Sequence, residues 1–168
     1  MSDSALATEF IRQTRSELQD CVEKIEHCLD QLSEIDVWWR PFAEANAIGN
    51  VILHVCGNLR QWVVSGVGGV PDVRKRREEF ADRGTTIKKD ELLRRLRRTV
   101  QDADAALAGC TPENLLRVRH VQHYDVTGLQ AAFDSVSHFV GHTHQIVYVT
   151  RLRLGDKYEF EGLTAGDE

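Results

Sequence analysis

Four stretches of this chain carry apolar residues at alternating steps of three and four, and that period limits the fold more than any other feature. Between about 5 and 32, Phe10, Ile11, Leu18, Val22, Ile25, Leu29 and Leu32 share one face. Between about 46 and 64 the face is Ile48, Val51, Ile52, Val55, Leu59, Trp62 and Val63. Asn46 is the expected N-cap there, and Gly66, Gly68, Gly69 and Pro71 end the pattern. A third stripe, Leu92, Leu93, Leu96, Val100 and Leu107, predicts a helix over about 86–107, closed by Gly109 and Pro112. The fourth stretch, about 126–154, is apolar around most of its circumference. That pattern predicts burial on more than one side, at a central position or a subunit interface.

The connections are equally informative. Trp38-Trp39-Arg40-Pro41 stops the first helix, because proline disfavours helix at the residue before it. Leu115 to Tyr124 has no helical period and is expected to be extended, and the polar tail after Gly155 is expected to be irregular. Four amphipathic helices of this length most simply form an all-α four-helix bundle. The expected architecture is one domain over residues 1–168 with a short extended segment before the last helix. Bundles of this kind place metal and small-molecule sites between facing helices.

Composition removes several function classes. No apolar run approaches the roughly 20 residues of a membrane span. The opening Met1-Ser2-Asp3-Ser4 carries acid where a signal peptide has base, so a cytoplasmic location is expected. Cys21, Cys28, Cys56 and Cys110 include no CxxC and are expected as small buried thiols. Lys plus Arg number 21 against 26 Asp plus Glu, a net charge of −5, which argues against nucleic acid as a partner. One segment departs from that balance. Residues 74–98 hold 11 basic side chains against five acidic ones, with Phe80 as the only aromatic. Surface ion pairing accounts for most of such a segment, and Arg74 and Arg76 are its candidates for holding an anionic small molecule.

Histidine is the residue type that points to chemistry. Of seven, His138 and His142 stand four apart in the last helical stretch, about 40° apart on one face. Imidazole nitrogens bind zinc and nickel, and this spacing lets two rings reach one ion. His54 lies at the edge of the second stripe, so His54, His138 and His142 form a three-ligand set if those two helices face each other. His144 points elsewhere. Asn58, Gln61, Asp134 and Gln145 share these faces, and an amide or carboxylate there would take the outer N–H of a ligating ring or touch a substrate. A solvated polar stripe of Asn50, Asn58 and Gln61 is the plainer alternative. His120 and His123 fall in the extended segment, where a surface location outweighs a place at the mouth of the site.

The stretch His54-Val55-Cys56-Gly57-Asn58-Leu59-Arg60-Gln61-Trp62, together with His138-Phe139-Val140-Gly141-His142-Thr143-His144-Gln145-Ile146, resembles the DinB/YfiT-like superfamily, and a bacterial branch of it most closely. The resemblance runs from about Phe10 to Arg153 and is specific mainly at these two helices. It implies a four-helix bundle with an inward triad of histidines, here His54, His138 and His142, and places Gln145 at the glutamine of the motif His-x-x-x-His-x-Gly-Gln. His144 departs from the motif's glycine. The segment Asp72 to Phe80 is similar to an Arg- and Glu-Phe-containing loop of that branch. The resemblance implies a divalent ion, zinc or nickel, with an open position for water, and a metal-dependent thiol S-transferase or a small-molecule hydrolase. The reacting group would then be water or a thiolate at the ion and not a side chain. The implied partners are a small-molecule substrate, which for some members of the superfamily is a low-molecular-weight thiol, and the apolar excess of the last helix points to a homodimer. The alternative is a non-catalytic metal- or ligand-binding stress-response module.

Overall fold

In the computed structural model, which describes residues 3–84 and 86–160, the four periodic stretches are helices: α1 (Asp3–Gln31), α3 (Ile48–Leu59), α5 (Lys89–Ala108) and α7 (Gly128–Leu154). Short helices α2 (Glu34–Val37), α4 (Arg76–Glu79) and α6 (Pro112–Leu116) lie in the connections. The architecture is all-α apart from one hairpin, β1 (Val118–Val121) paired antiparallel with β2 (Tyr124–Thr127). The apolar stripes meet in one core. Leu18, Ile25 and Leu29 of α1 are buried with Ile48, Ile52 and Leu59 of α3, Leu92, Leu96 and Leu107 of α5, and Phe139 and Ile146 of α7. No helix among the described residues is long and apolar enough to cross a membrane.

Cross-helix pairs set the directions. Arg15 bonds Asp104 and Arg97 bonds Glu26, so α1 and α5 are antiparallel. His54 meets His138 and Asn58 meets Ser135, so α3 and α7 are antiparallel as well. Arg60, the residue after α3, meets Asp102 of α5, while Cys56, one turn earlier, interacts with Thr99. Hence α3 and α5 are parallel. A parallel pair needs a connection that returns the length of the bundle, and residues 66–84 and 86–88 belong to it. That return strap carries α4 back across the start of α3. Asn50, nearly fully buried, fastens it by donating from Nδ2 to the carbonyls of Glu79 (3.1 Å) and Asp82 (3.0 Å).

Several expectations change in detail. Asn46 is not the N-cap of α3; Ala47 holds that position, and its N–H is accepted by Asn50 Oδ1 at 3.2 Å. Asn50 therefore does not belong to a solvated stripe. After Leu59 the helix widens into a π-helical segment, Arg60–Ser65. Residues 115 and 116 are helical, the last turn of α6, where Thr111 caps the start and Pro112 fits the first turn. The extended segment is the hairpin, which turns at Gln122 with φ +56° and runs on to Thr127. Thr127 caps α7 by accepting the Gln130 N–H. The last helix is not central: Leu129, Phe133, Tyr148 and Leu152 are exposed on it. The 3₁₀ turn Gly155–Lys157 follows. The rest of the expected irregular tail, beyond residue 160, lies outside the described residues.

Cys21, Cys28 and Cys56 are buried, Cys110 is partly so, and all four are free thiols. Burial pushes the Cys56 thiol up to about 12, which leaves it a packing residue without nucleophilic character. The basic segment is largely engaged in pairs. Arg94 and Arg95 bond Glu91, Arg97 bonds Glu26, and Lys89 Nζ donates to the carbonyls of Leu29 and Leu32.

Candidate metal centre

The antiparallel packing of α3 on α7 brings His54 against the i, i+4 pair of the last helix. His54 Nε2 lies 3.0 Å from His138 Nε2. Ring centroids are 5.1 Å apart for His54 and His138, 5.1 Å for His54 and His142, and 4.4 Å for His138 and His142. One nitrogen from each ring lies within 4.8 Å of the others. Nitrogens bound to one ion at about 2.0–2.1 Å stand about 3.0–3.4 Å apart, so the closest pair is already at ligand spacing. Small ring rotations bring in the third. The donor set therefore fits a divalent ion of the zinc or nickel type.

The outer nitrogens are directed too. His54 Nδ1 lies 2.9 Å from Glu79 Oε2. A carboxylate can only accept there, so Nδ1 carries a proton and Nε2 is the nitrogen that faces the centre. His142 Nδ1 lies 2.7 Å from Gln145 Oε1, which likewise leaves Nε2 for the centre. Burial holds His138 down at about 4, with the charges of His142, His54, Arg74 and Arg76 adding to the effect. Burial also lowers His142, against an opposing bond from Gln145. Both rings are therefore neutral near pH 7, the form that binds metal.

Glu79 comes from the strap and was not among the residues expected at the site. Its side chain is only 9% exposed, and Arg74, at 4%, grips it with both ends: Nε donates to Oε1 at 2.7 Å and Nη2 to Oε2 at 2.9 Å. Arg74 Nη2 and His54 Nδ1 lie 3.3 Å apart as two donors converging on one oxygen. Burial alone would raise the Glu79 pKa; the bonds from His54 and Arg74, with the arginine's charge, outweigh it and hold the carboxyl below its usual range. Gly57 makes room for this pair, since a Cβ there would collide with Glu79 Oε1 and lie 3.0 Å from Arg74 Nε.

A protein-family model described as "Protein of unknown function (DUF1572)" matches residues 5–166. The chain belongs to the DUF1572 family. Among solved structures, a conserved protein of a locus from Enterococcus faecalis superposes with a TM-score of 0.71 over 86% of this chain and 96% of that one. At 19% identity, the likeness is one of fold. No curated protein matches the chain.

In this DUF1572 chain the remaining expected residues divide. Gln145 reaches His142, as described. Asn58 lines the cleft beside the centre, but its Oδ1 accepts from Ser135 Oγ at 2.8 Å and does not serve a histidine. Gln61 ties the surroundings together: its Nε2 donates to Asp72 Oδ2 at 2.7 Å, and its Oε1 accepts from Arg74 Nη1 and Gln122 Nε2. Asp134 is exposed, and among the described residues no hydrogen bond joins it to His138. Arg74 is turned inward onto Glu79, so it is not the free anion-binding cation expected; Arg76 stays exposed at the cleft. His144 is exposed and outside the cluster. His120 is exposed and pairs with Asp125, whereas His123, also exposed, lines the cleft's mouth. That cleft, about 540 Å³, runs from His54 and His138 past Trp62 to the hairpin tip.

Proposed function

We propose that His54, His138 and His142 hold a divalent ion, zinc or nickel, and that the adjoining cleft handles a small molecule, as a metal-dependent thiol S-transferase or hydrolase. The observation that carries this reading is the convergence of three imidazoles whose outer nitrogens, on His54 and His142, already have acceptors. A site with three protein ligands leaves room for an exogenous one. A bound divalent ion lowers the pKa of water or of a thiol that reaches it. The chain's own residues do the rest. Glu79 and Gln145 orient two rings, Arg74 holds Glu79 in place, Gln61 braces Arg74, and Asn58 presents its amide along the cleft for a substrate. The resemblance to the DinB/YfiT-like superfamily supports the reading through the helix order and the placement of the histidines.

Cobalt(II) substitution tests it. The loaded protein should show visible bands of a nitrogen-ligated ion, and a small thiol should shift them. Bands that are absent, or unchanged in His138→Ala, would contradict the site. Bands that ignore thiols would remove the S-transferase and retain the hydrolase. Turnover is then screened with low-molecular-weight thiols plus electrophiles, and with esters and amides. The same reading includes a homodimer, for which the exposed Leu129, Phe133, Tyr148 and Leu152 of α7 supply an apolar stripe. Sedimentation of wild type against Phe133→Glu measures it.

A further inference from the structure

The cleft beside the histidine centre has an uneven charge. Its lining includes Arg74 and Arg76 and not one carboxylate. Two acids beside the cleft are engaged: Glu79 behind His54 with Arg74, and Asp72 with the Gln61 amide and the Arg74 backbone N–H. Arg74 is neutralised by Glu79. Arg76 is not neutralised: among the described residues it has no carboxylate partner. Its guanidinium carbon lies 5.7 Å from the centroid of the Phe80 ring, and that ring lies 5.2 Å from the ring of His54. Arg76 therefore stands two ring contacts from the centre, aligned by a cation–π contact and with its hydrogen-bond donors uncommitted. The opposite wall is apolar and amide-bearing, with Trp62 against Tyr124 at 6.2 Å and Gln122 and His123 at the hairpin tip.

We propose that the ligand of this cleft is a small organic anion: one end reaches the histidine centre, and a separate carboxylate-like group is held by Arg76. The proposal rests on the metal reading above and adds the substrate class to it. A divalent ion on three neutral imidazoles would add two positive charges to a cleft that has no acid in its lining. Its field then favours anions and disfavours cations. A neutral ligand would leave the Arg76 donors unused, while an anion with a short spacer engages both ends of the cleft. The arginine fork suits a planar carboxylate.

Hydroxamates separate the two ends, because the hydroxamate group anchors on the ion while the distal group reports on Arg76. Zinc-loaded protein is titrated calorimetrically with succinic monohydroxamate, its longer-chain homologues and the corresponding neutral primary amides. At the best chain length the carboxylate should bind at least about tenfold tighter than its amide, the scale of one hydrogen bond to a charged group. In Arg76→Gln that preference should fall below about twofold, with the neutral probe unchanged. Melting curves and zinc content confirm that the variant is folded and loaded. Equal binding of both probes to the native protein overturns the proposal, and so does a preference that persists in Arg76→Gln. A protein that takes up no zinc overturns the metal reading and the proposal with it, an outcome distinct from zinc uptake without charge preference.

Discussion

Removal of the Glu79 carboxylate is the most informative single perturbation of the centre. Glu79 accepts three hydrogen bonds from charged or ring donors, at 2.7, 2.9 and 2.9 Å, in a setting where it and Arg74 are nearly inaccessible. Glu79→Ala leaves the Arg74 guanidinium buried without a counter-charge and His54 Nδ1–H without an acceptor. Breaking a buried pair on one side costs about 3–5 kcal/mol, a large part of the roughly 5–15 kcal/mol that stabilises a typical domain. Glu79→Gln keeps the volume and one accepting oxygen but turns an amide NH2 toward Arg74, so about 2–3 kcal/mol is expected. Urea unfolding of the zinc-free protein at neutral pH measures both. In a double-mutant cycle with Arg74→Ala the two losses should fail to add by about 2 kcal/mol or more. Zinc affinity should also fall about 10- to 100-fold, because the ring is no longer oriented. A Glu79→Ala protein within about 0.5 kcal/mol of wild type would refute the reasoning, as would additive losses or unchanged zinc affinity.

Two further predictions follow from the same geometry. Gly57→Ala, which in an ordinary helix interior would gain about 1 kcal/mol, should instead lose stability and weaken zinc binding, because its Cβ occupies the space of Glu79 Oε1; urea titration gives the sign. The zinc-free protein should lose stability as pH falls from about 6.5 to about 4, because the unfolded chain protonates at positions 138 and 142 before the folded one does. His138 contributes about 1–2 kcal/mol of that loss once solvent screening of its partly exposed ring is allowed for. Glu79, held below its usual range, adds a further loss below its ordinary pKa of 4.5. Denaturation midpoints between pH 4 and 8 test this, and a flat profile contradicts it.

The four long helices were legible because each buries one continuous stripe, and a period of 3.6 is written directly in the positions of Leu18, Ile25, Ile52, Leu59, Leu92 and Phe139. The i, i+4 pair His138 and His142 was legible for the same local reason. Glu79 was not. It lies 25 residues from His54 on a strap whose path depends on α3 and α5 being parallel, a relation set by packing and invisible to local pattern. Gly57 in the middle of an otherwise apolar helix was the available signal, since such a glycine often marks a close approach. The π-helical turn that sets Gln61 and Trp62 at the cleft has no sequence period of its own. The hairpin turns through Gln122 at φ +56° without the Asn-Gly or Gly signature that reveals such turns. Polarity also misled at Asn50, which is buried because it hydrogen-bonds the strap.

The central claim is that three imidazoles act as one ligand set. Elemental analysis of protein loaded with zinc and then dialysed, wild type beside His54→Ala, His138→Ala, His142→Ala and the control His144→Ala, tests it directly. The account predicts about one equivalent of zinc in wild type and His144→Ala, and close to none in each of the other three. Equal metal in all five proteins would contradict it.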